Sequence, residues 1–277
     1  MTSPSEYDIQ NSDGLQYMTT LKDKSVQLIL TDPPYIISKD SGMNRFVNKV
    51  KSLEKSGKNA KTSSQWESFK AAKGYTDDKY KTNYIKYGNT SGKKYGYKTD
   101  FGKWDNDFSI AKLEEFIKLF YKKLSKGGTC IIFMDLWKIG QLKNLMEKHK
   151  FKQIRLIEWI KTNPVPLNQS VNYLTNAREV AVLGVKVGKP TFNSKYDKGI
   201  YEYPIQTGKK RFHPTQKNQK MFEALIKKHS NEGDVVLDPF LGGGTTLFAC
   251  KATKRRFCGC ELAKEYYDKV VALSDTQ

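Results

Sequence analysis

Four consecutive residues carry the first recognisable chemistry in this chain: Asp32, Pro33, Pro34 and Tyr35. They follow an apolar run, Val26-Gln27-Leu28-Ile29-Leu30, that reads as a buried strand running into a loop. Each proline fixes φ and removes a backbone donor, so the carbonyls beside them stay available as acceptors. One carboxylate, one free carbonyl and one aromatic face suit the exocyclic amine of a planar base. That chemistry needs neither an acidic nucleophile nor a cluster of metal ligands.

A second stretch stands far downstream, Asp238-Pro239-Phe240-Leu241-Gly242-Gly243-Gly244-Thr245-Thr246, at the end of the short apolar run Val235-Val236-Leu237. Glycines after a strand let backbone approach a ligand closely, with a helix N-terminus beyond. No P-loop lysine follows, so a nucleoside triphosphate is not suggested. About one helix later, Arg256-Phe257-Cys258-Gly259-Cys260-Glu261 reads as the next strand with an acid at its end. An acid there suits ribose hydroxyls, at close to the ~20-residue spacing of dinucleotide folds, or else caps the final helix. Upstream, Phe212-His213-Pro214-Thr215-Gln216-Lys217 offers a hydroxyl, an ammonium and free helix N–H groups to a carboxylate, although standing alone a Pro-started helix explains it better. Asp13, in the turn Asn11-Ser12-Asp13-Gly14, is a natural cap for a short helix through Leu15, Met18 and Leu21.

Taken together and in this order, these motifs resemble the DNA amino-methyltransferases of the permuted beta class, over nearly the whole chain apart from a basic insertion. The pattern Trp-x-Lys-x-Asn-Pro-x-Pro from Trp159, followed by Asn176-Ala177-Arg178-Glu179, adds to the resemblance. It implies a Rossmann-like, S-adenosylmethionine-dependent α/β fold: a mostly parallel, seven-stranded-type sheet with helices on both faces and circularly permuted motif order. It implies direct methyl transfer to a base swung out of the DNA duplex. In that reading the loop Asp32-Pro33-Pro34-Tyr35 is catalytic, with Asp32 and the Pro33 carbonyl accepting the amine N–H bonds and Tyr35 stacking on the ring. For the cofactor it implies Asp13 near the adenine, Thr215 and Lys217 at the methionine carboxylate, Glu261 on the ribose, and Asp238, Phe240, Gly242, Gly244 and Thr245 in the binding loop. An Asp at the head of the tetrapeptide is the more usual form in adenine-N6 enzymes. Cytosine-N4 methylation is the alternative within the class, and a non-catalytic DNA-binding protein on the same scaffold is the alternative outside it. No metal is implied. A homodimer is common among such proteins, but no self-complementary patch is legible here. Asn218 stands where the family usually has a proline.

The elements that must position these residues follow an α/β rhythm. Ser109 is placed to cap a helix carrying Leu113, Phe116, Ile117, Phe120 and Leu124, which Gly127-Gly128 ends before a buried strand Thr129–Met134. A second helix from about Trp137 to His149 and a strand Ile154–Ile160 repeat the unit, arguing for a parallel sheet. A catalytic domain is therefore expected over 1–38 and 104–277. Residues 186–212, where the family reads its target, are short and polar. Residues 39–103 hold 16 Lys or Arg against 6 Asp or Glu, with Trp66 and six tyrosines threaded through. They show little apolar periodicity beyond a weak helix near Ser64–Ala72. This insertion reads as a nucleic-acid loop, lysines on phosphates and tyrosines free to stack, or as a solvated segment that orders only on DNA.

Composition agrees. The chain has 277 residues and a formal net charge of +19, which favours a polyanionic partner such as DNA. No apolar run approaches the ~20 residues of a membrane span. Met1–Glu6 has neither the basic nor the apolar region of a secretory signal. Cys130, Cys250, Cys258 and Cys260 form no C-x-x-C pair and read as reduced core thiols of a cytoplasmic protein; the family resemblance implies a bacterial or phage-type setting.

Overall fold

A computed structural model describes residues 6–34, 60–88, 90, 108–164, 174–207, 213 and 216–275. The chain divides into two compact units, Met1–Ile36 with Phe108–Gln277, and Ile37–Asp107. In chain order the elements are β1 (Tyr7–Asn11), α1 (Gly14–Thr20), β2 (Val26–Thr31), α2 (Ser63–Lys73), α3 (Lys81–Tyr87), α4 (Ile110–Lys123), β3 (Leu124–Met134), α5 (Ile139–Lys148), β4 (Lys152–Lys161), β5 (Arg178–Val185), β6 (Ile200–Tyr203), α6 (Gln219–His229), β7 (Val235–Asp238), α7 (Thr245–Ala252), β8 (Arg256–Glu261) and α8 (Lys264–Ser274).

The strands of the first unit form one eight-stranded sheet in the order β1-β8-β7-β2-β3-β5-β4-β6. β1, β8, β7, β2 and β3 run parallel; β5 is antiparallel to both its neighbours, and β6 runs parallel to β4. Alternation along the central strands feeds two cores. Cys130, Ile132 and Met134 of β3 join Tyr17, Phe116, Phe120 and Leu142 on one face. Ile131 and Phe133 join Met221, Leu225, Leu247 and Val270 on the other. Helices α1, α4 and α5 thus cover one face and α6, α7 and α8 the other, which is why the strands read as continuous apolar runs. Burying such side chains stabilises by about 1.5–3 kcal/mol each.

Helix caps follow the sequence closely. Asp13 Oδ1 accepts from Leu15 N at 2.9 Å and Gln16 N at 3.3 Å. Ser109 Oγ accepts from Lys112 N at 3.1 Å. Asn218, in place of the family's proline, caps α6 by accepting from Met221 N at 3.0 Å.

Three features depart from expectation. The eighth strand, β6, has only four residues. β3 begins at Leu124, so Gly127 and Gly128 lie inside the strand and not at a helix end; the β2–β3 register shifts between Val26 and Leu28 to absorb them. Gly127 sits at φ 77°, where a Cβ would come within 2.2 Å of the Lys189 carbonyl oxygen, so only glycine fits this crossing. Finally, α5 is preceded by a short 3₁₀ turn, Leu136–Lys138, that leaves Trp137 88% exposed.

The second unit has a core of its own, built from rings. α2 opens with a capping box between Thr62 and Gln65. Trp66 is fully buried, with Phe69, Tyr75 and Tyr84 around it at ring-centroid distances of 6.1, 6.4 and 5.5 Å. Its indole N–H donates to Asp78 at 2.9 Å, and Lys70 pairs with the same carboxylate at 2.8 Å. Scattered aromatic residues thus supply a nucleus that aliphatic periodicity could not reveal.

Candidate active site

The first unit gathers its acids along one edge. In a parallel sheet, ligands bind in the crevice outside the carboxyl ends of the strands. Here β1 and β8 finish in register at Asn11 and Glu261, with Asp13 two residues on. β7 ends at Asp238, and Asp32 directly follows β2. β5 runs the other way, so its beginning, Arg178-Glu179, lies at the same edge, where Ile160 pairs with Arg178 and β4 ends at Lys161.

Asp238 locks the two motif loops together. Its Oδ1 accepts from Thr31 Oγ1 at 2.6 Å and from Phe240 N at 3.1 Å; its Oδ2 accepts from Thr246 Oγ1 at 2.5 Å. The Thr246 hydroxyl also lies 3.4 Å from the Leu30 carbonyl oxygen. The residue before Asp32 is thereby tied to the strand that carries the glycines. Burial pushes the Asp238 carboxyl up, the bonds from Thr246, Thr31 and Phe240 pull it down, and the Asp32 charge adds to the rise; the outcome is about 6. Only 3% exposed, Asp238 is a joint inside the fold, not a group facing a cleft.

A row of alternating charge lies beside it. Lys217 Nζ is 2.6 Å from Asp32 Oδ2 and 2.8 Å from Glu179 Oε2, and Lys161 Nζ is 2.7 Å from Glu179 Oε1. The Lys217 side chain is 5% exposed. Burial would raise the Glu179 carboxyl, yet the ammonium groups of Lys217 and Lys161 hold it at about 2. The Lys217 ammonium pairs here with two protein carboxylates, Asp32 and Glu179, which supply the counter-charge that a buried ammonium requires.

The glycine loop follows β7. Gly242 and Gly244 adopt φ 51° and 74°, and Gly244 initiates α7. Glu261 Oε2 accepts from Gly242 N at 2.8 Å while its Oε1 accepts from Ala263 N at 2.8 Å, so one carboxylate ties the loop to the start of α8. Burial raises its pKa against the pull of those backbone bonds. Phe240 packs on Phe108 and Phe116 at 5.5 and 4.6 Å. Thr245 Oγ1 is 3.5 Å from the Lys217 carbonyl oxygen, bringing the loop's helix up to the charged row. Asp13 caps α1, and Lys112 stands 3.5 Å from its second oxygen. Pro33 is buried and Pro34 partly so. Tyr35 and Thr215 lie outside the described residues.

Glu179 and Lys161 belong to motifs that carried the resemblance in the sequence without an assigned role. The available signal was the motifs that hold them, Trp159-x-Lys161 and Arg178-Glu179, at the facing ends of two paired strands. Segment 186–212, described to residue 207, is fastened to the end of α6. Asn193 Nδ2 donates to the Lys227 and Ser230 carbonyls at 3.0 Å each, and Lys228 pairs with Asp197.

Among the described residues no group of His, Cys, Asp and Glu could hold a metal ion, and no helix is long and apolar enough to cross a membrane. All four cysteines are buried and free.

A family model described as DNA methylase matches residues 26–272. The type II methyltransferase M2.DpnII of Streptococcus pneumoniae is 27% identical over 281 residues, covering 92% of this chain and 85% of the relative. Among solved structures, the M1.HpyAVI–SAM complex superposes with a TM-score of 0.59 at 23% identity, covering 96% of this chain and 99% of that one. The PvuII DNA methyltransferase, described as cytosine-N4-specific, gives a TM-score of 0.64 at 13% identity, covering 97% of this chain and 86% of that one. At these identities the two structures show a shared fold.

Proposed function

The chain belongs to the DNA methylase family, and from that premise we propose that it transfers a methyl group from S-adenosylmethionine to the N6 amine of adenine in DNA, within a bacterial restriction–modification setting. One observation carries this reading: the Asp32 loop and the glycine loop are joined through Asp238 at a single sheet edge, within hydrogen-bond distance on both sides.

The residues fit the cofactor. Bare backbone at Gly242 and Gly244, beside an acid at the end of the neighbouring strand, suits a nucleoside with vicinal hydroxyls. S-adenosylmethionine, when bound, supplies a methyl group activated by a sulfonium.

An exocyclic amine conjugated to a purine is a weak nucleophile, because its lone pair is delocalised into the ring. Asp32 and the Pro33 carbonyl accept its two N–H bonds and favour a pyramidal nitrogen whose lone pair points at the donor. The effect is positioning and electrostatics from a preorganised acceptor, with no full proton transfer needed first. Lys217 fixes one of the Asp32 oxygens through its ion pair. Tyr35 stacks on the extruded base.

The second unit is assigned to DNA contact on its charge. Tyr75 and Tyr84 pack on Trp66, so phosphate contact by lysines is its main contribution rather than stacking by those two rings.

The test is incubation of purified protein with labelled S-adenosylmethionine and unmodified DNA, then digestion to nucleosides and mass spectrometry. N6-methyladenine is expected. N4-methylcytosine would move the assignment to the cytosine amine, and DNA binding without transfer would leave a non-catalytic scaffold.

A further inference from the structure

Resting on the assignment above, we propose that Glu179 is a positioning residue that acts through Lys217, drawing half of its ammonium's hold away from Asp32 and keeping the charged row neutral where a positive charge must pass. The geometry is specific. Lys217 pairs with both Asp32 at 2.6 Å and Glu179 at 2.8 Å, and the other Glu179 oxygen meets Lys161 at 2.7 Å. Among the described residues, these two carboxylates and two ammonium groups sum to zero. The Lys161 and Lys217 side chains are only 10% and 5% exposed, so water screens the row poorly.

The transfer step gives that neutrality a use. The amine lone pair forms the new N–CH₃ bond as the S–CH₃ bond breaks, its electrons returning to sulfur. The positive charge passes from sulfonium to nitrogen, and the product ammonium then releases a proton to solvent as the neutral methylamine forms. A positive charge is present beside Asp32 throughout. With Glu179 ionised the row adds no net repulsion. With Glu179 neutral it would carry +1, and Lys217 would concentrate on Asp32, weakening the acceptor that grips the amine. Glu179 does not touch the base; it sets the strength of the residue that does.

Charge and shape separate in a comparison of three variants, each checked for folding by its thermal midpoint. Glu179→Gln keeps the size and loses the charge; its kcat should fall at least about tenfold with KM values for DNA and cofactor within about twofold. Glu179→Asp keeps the charge and should stay within about threefold of the parent kcat. The double variant Glu179→Gln/Lys161→Gln restores neutrality and should recover most of the rate lost by Glu179→Gln alone. Gln turning over as fast as Asp, or a double variant slower than the single one, would overturn the proposal and leave Glu179 a packing residue. Parent protein that transfers nothing would sink the methylation assignment and this inference together; parent transfer with an unaffected Glu179→Gln sinks only the inference.

Discussion

Two carboxylates at one sheet edge have been driven in opposite directions. Glu179, between two ammonium groups, titrates at about 2; Asp238, among two hydroxyls and a backbone N–H, at about 6. Burial pushes both carboxyls up, so burial alone cannot explain the gap. The partners decide it. Full opposite charges outweigh desolvation, whereas neutral donors offset only part of it. The two halves of the edge therefore serve different ends. In one half, charged partners hold the Glu179 carboxyl down; in the other, Asp238 is kept hydrogen-bonded and holds two chain segments together.

The largest expected effect comes from emptying the ionised half. Lys217→Met leaves Asp32 and Glu179 facing each other without their shared cation. Breaking a buried pair in this way costs about 3–5 kcal/mol of stability, and transfer should fall roughly a hundredfold. The readout that sharpens the comparison is calorimetric binding of S-adenosylmethionine. Affinity within about threefold of the parent supports Lys217 as a partner of Asp32, and a much weaker Kd would return it to the methionine carboxylate.

Next comes the neutral half. The Asp238 carboxyl has its ordinary value of 3.8 when unfolded and about 6 when folded. The folded chain therefore binds its proton more tightly, and its contribution to stability, present below pH ~4, is lost as pH rises through 6, by up to about 3 kcal/mol. Asp238→Asn should remove that dependence, measured as the pH profile of denaturant unfolding for the two proteins; parallel profiles would mean that Asp238 is not perturbed. Glu179 carries the opposite sign: its contribution is present above pH 4.5 and fades as pH falls toward 2.

Smaller still is Thr246→Val, which deletes one hydroxyl donor to Asp238 and should destabilise by about 1–3 kcal/mol in chemical denaturation. The mildest change is in the second unit. Lys61→Gln with Lys73→Gln should leave the fold intact and reduce the slope of log affinity for DNA against log salt by about one for each phosphate no longer neutralised. An unchanged slope would reduce those lysines to a solvated surface.

How much of this was legible in the sequence depended on the range of the interaction. Asp13 and Ser109 signal caps because their partners lie within a few residues, and the run Leu28-Ile29-Leu30 signals a buried strand by its own apolar composition. The glycine loop and the Asp32 loop are legible as motifs. What joins them was not, since Thr31 and Asp238 are 207 residues apart and the Lys217–Asp32 pair is equally non-local. β6 escaped notice because four residues with Ile200 and Glu202 exposed make no periodic signal. The glycines at 127 and 128 read as a helix stop because the close approach of Lys189 that requires one of them cannot be seen along the chain.

The most direct test of the central claim is nucleoside mass spectrometry on DNA treated with equal folded amounts of the parent protein and Asp32→Ala, alongside calorimetry of S-adenosylmethionine binding. We expect N6-methyladenine from the parent, a loss of at least about a thousandfold in the variant, and cofactor affinity within about threefold for both. A variant that binds the cofactor and modifies DNA at the parent rate would contradict the account, because the amine would then be held by some group other than Asp32.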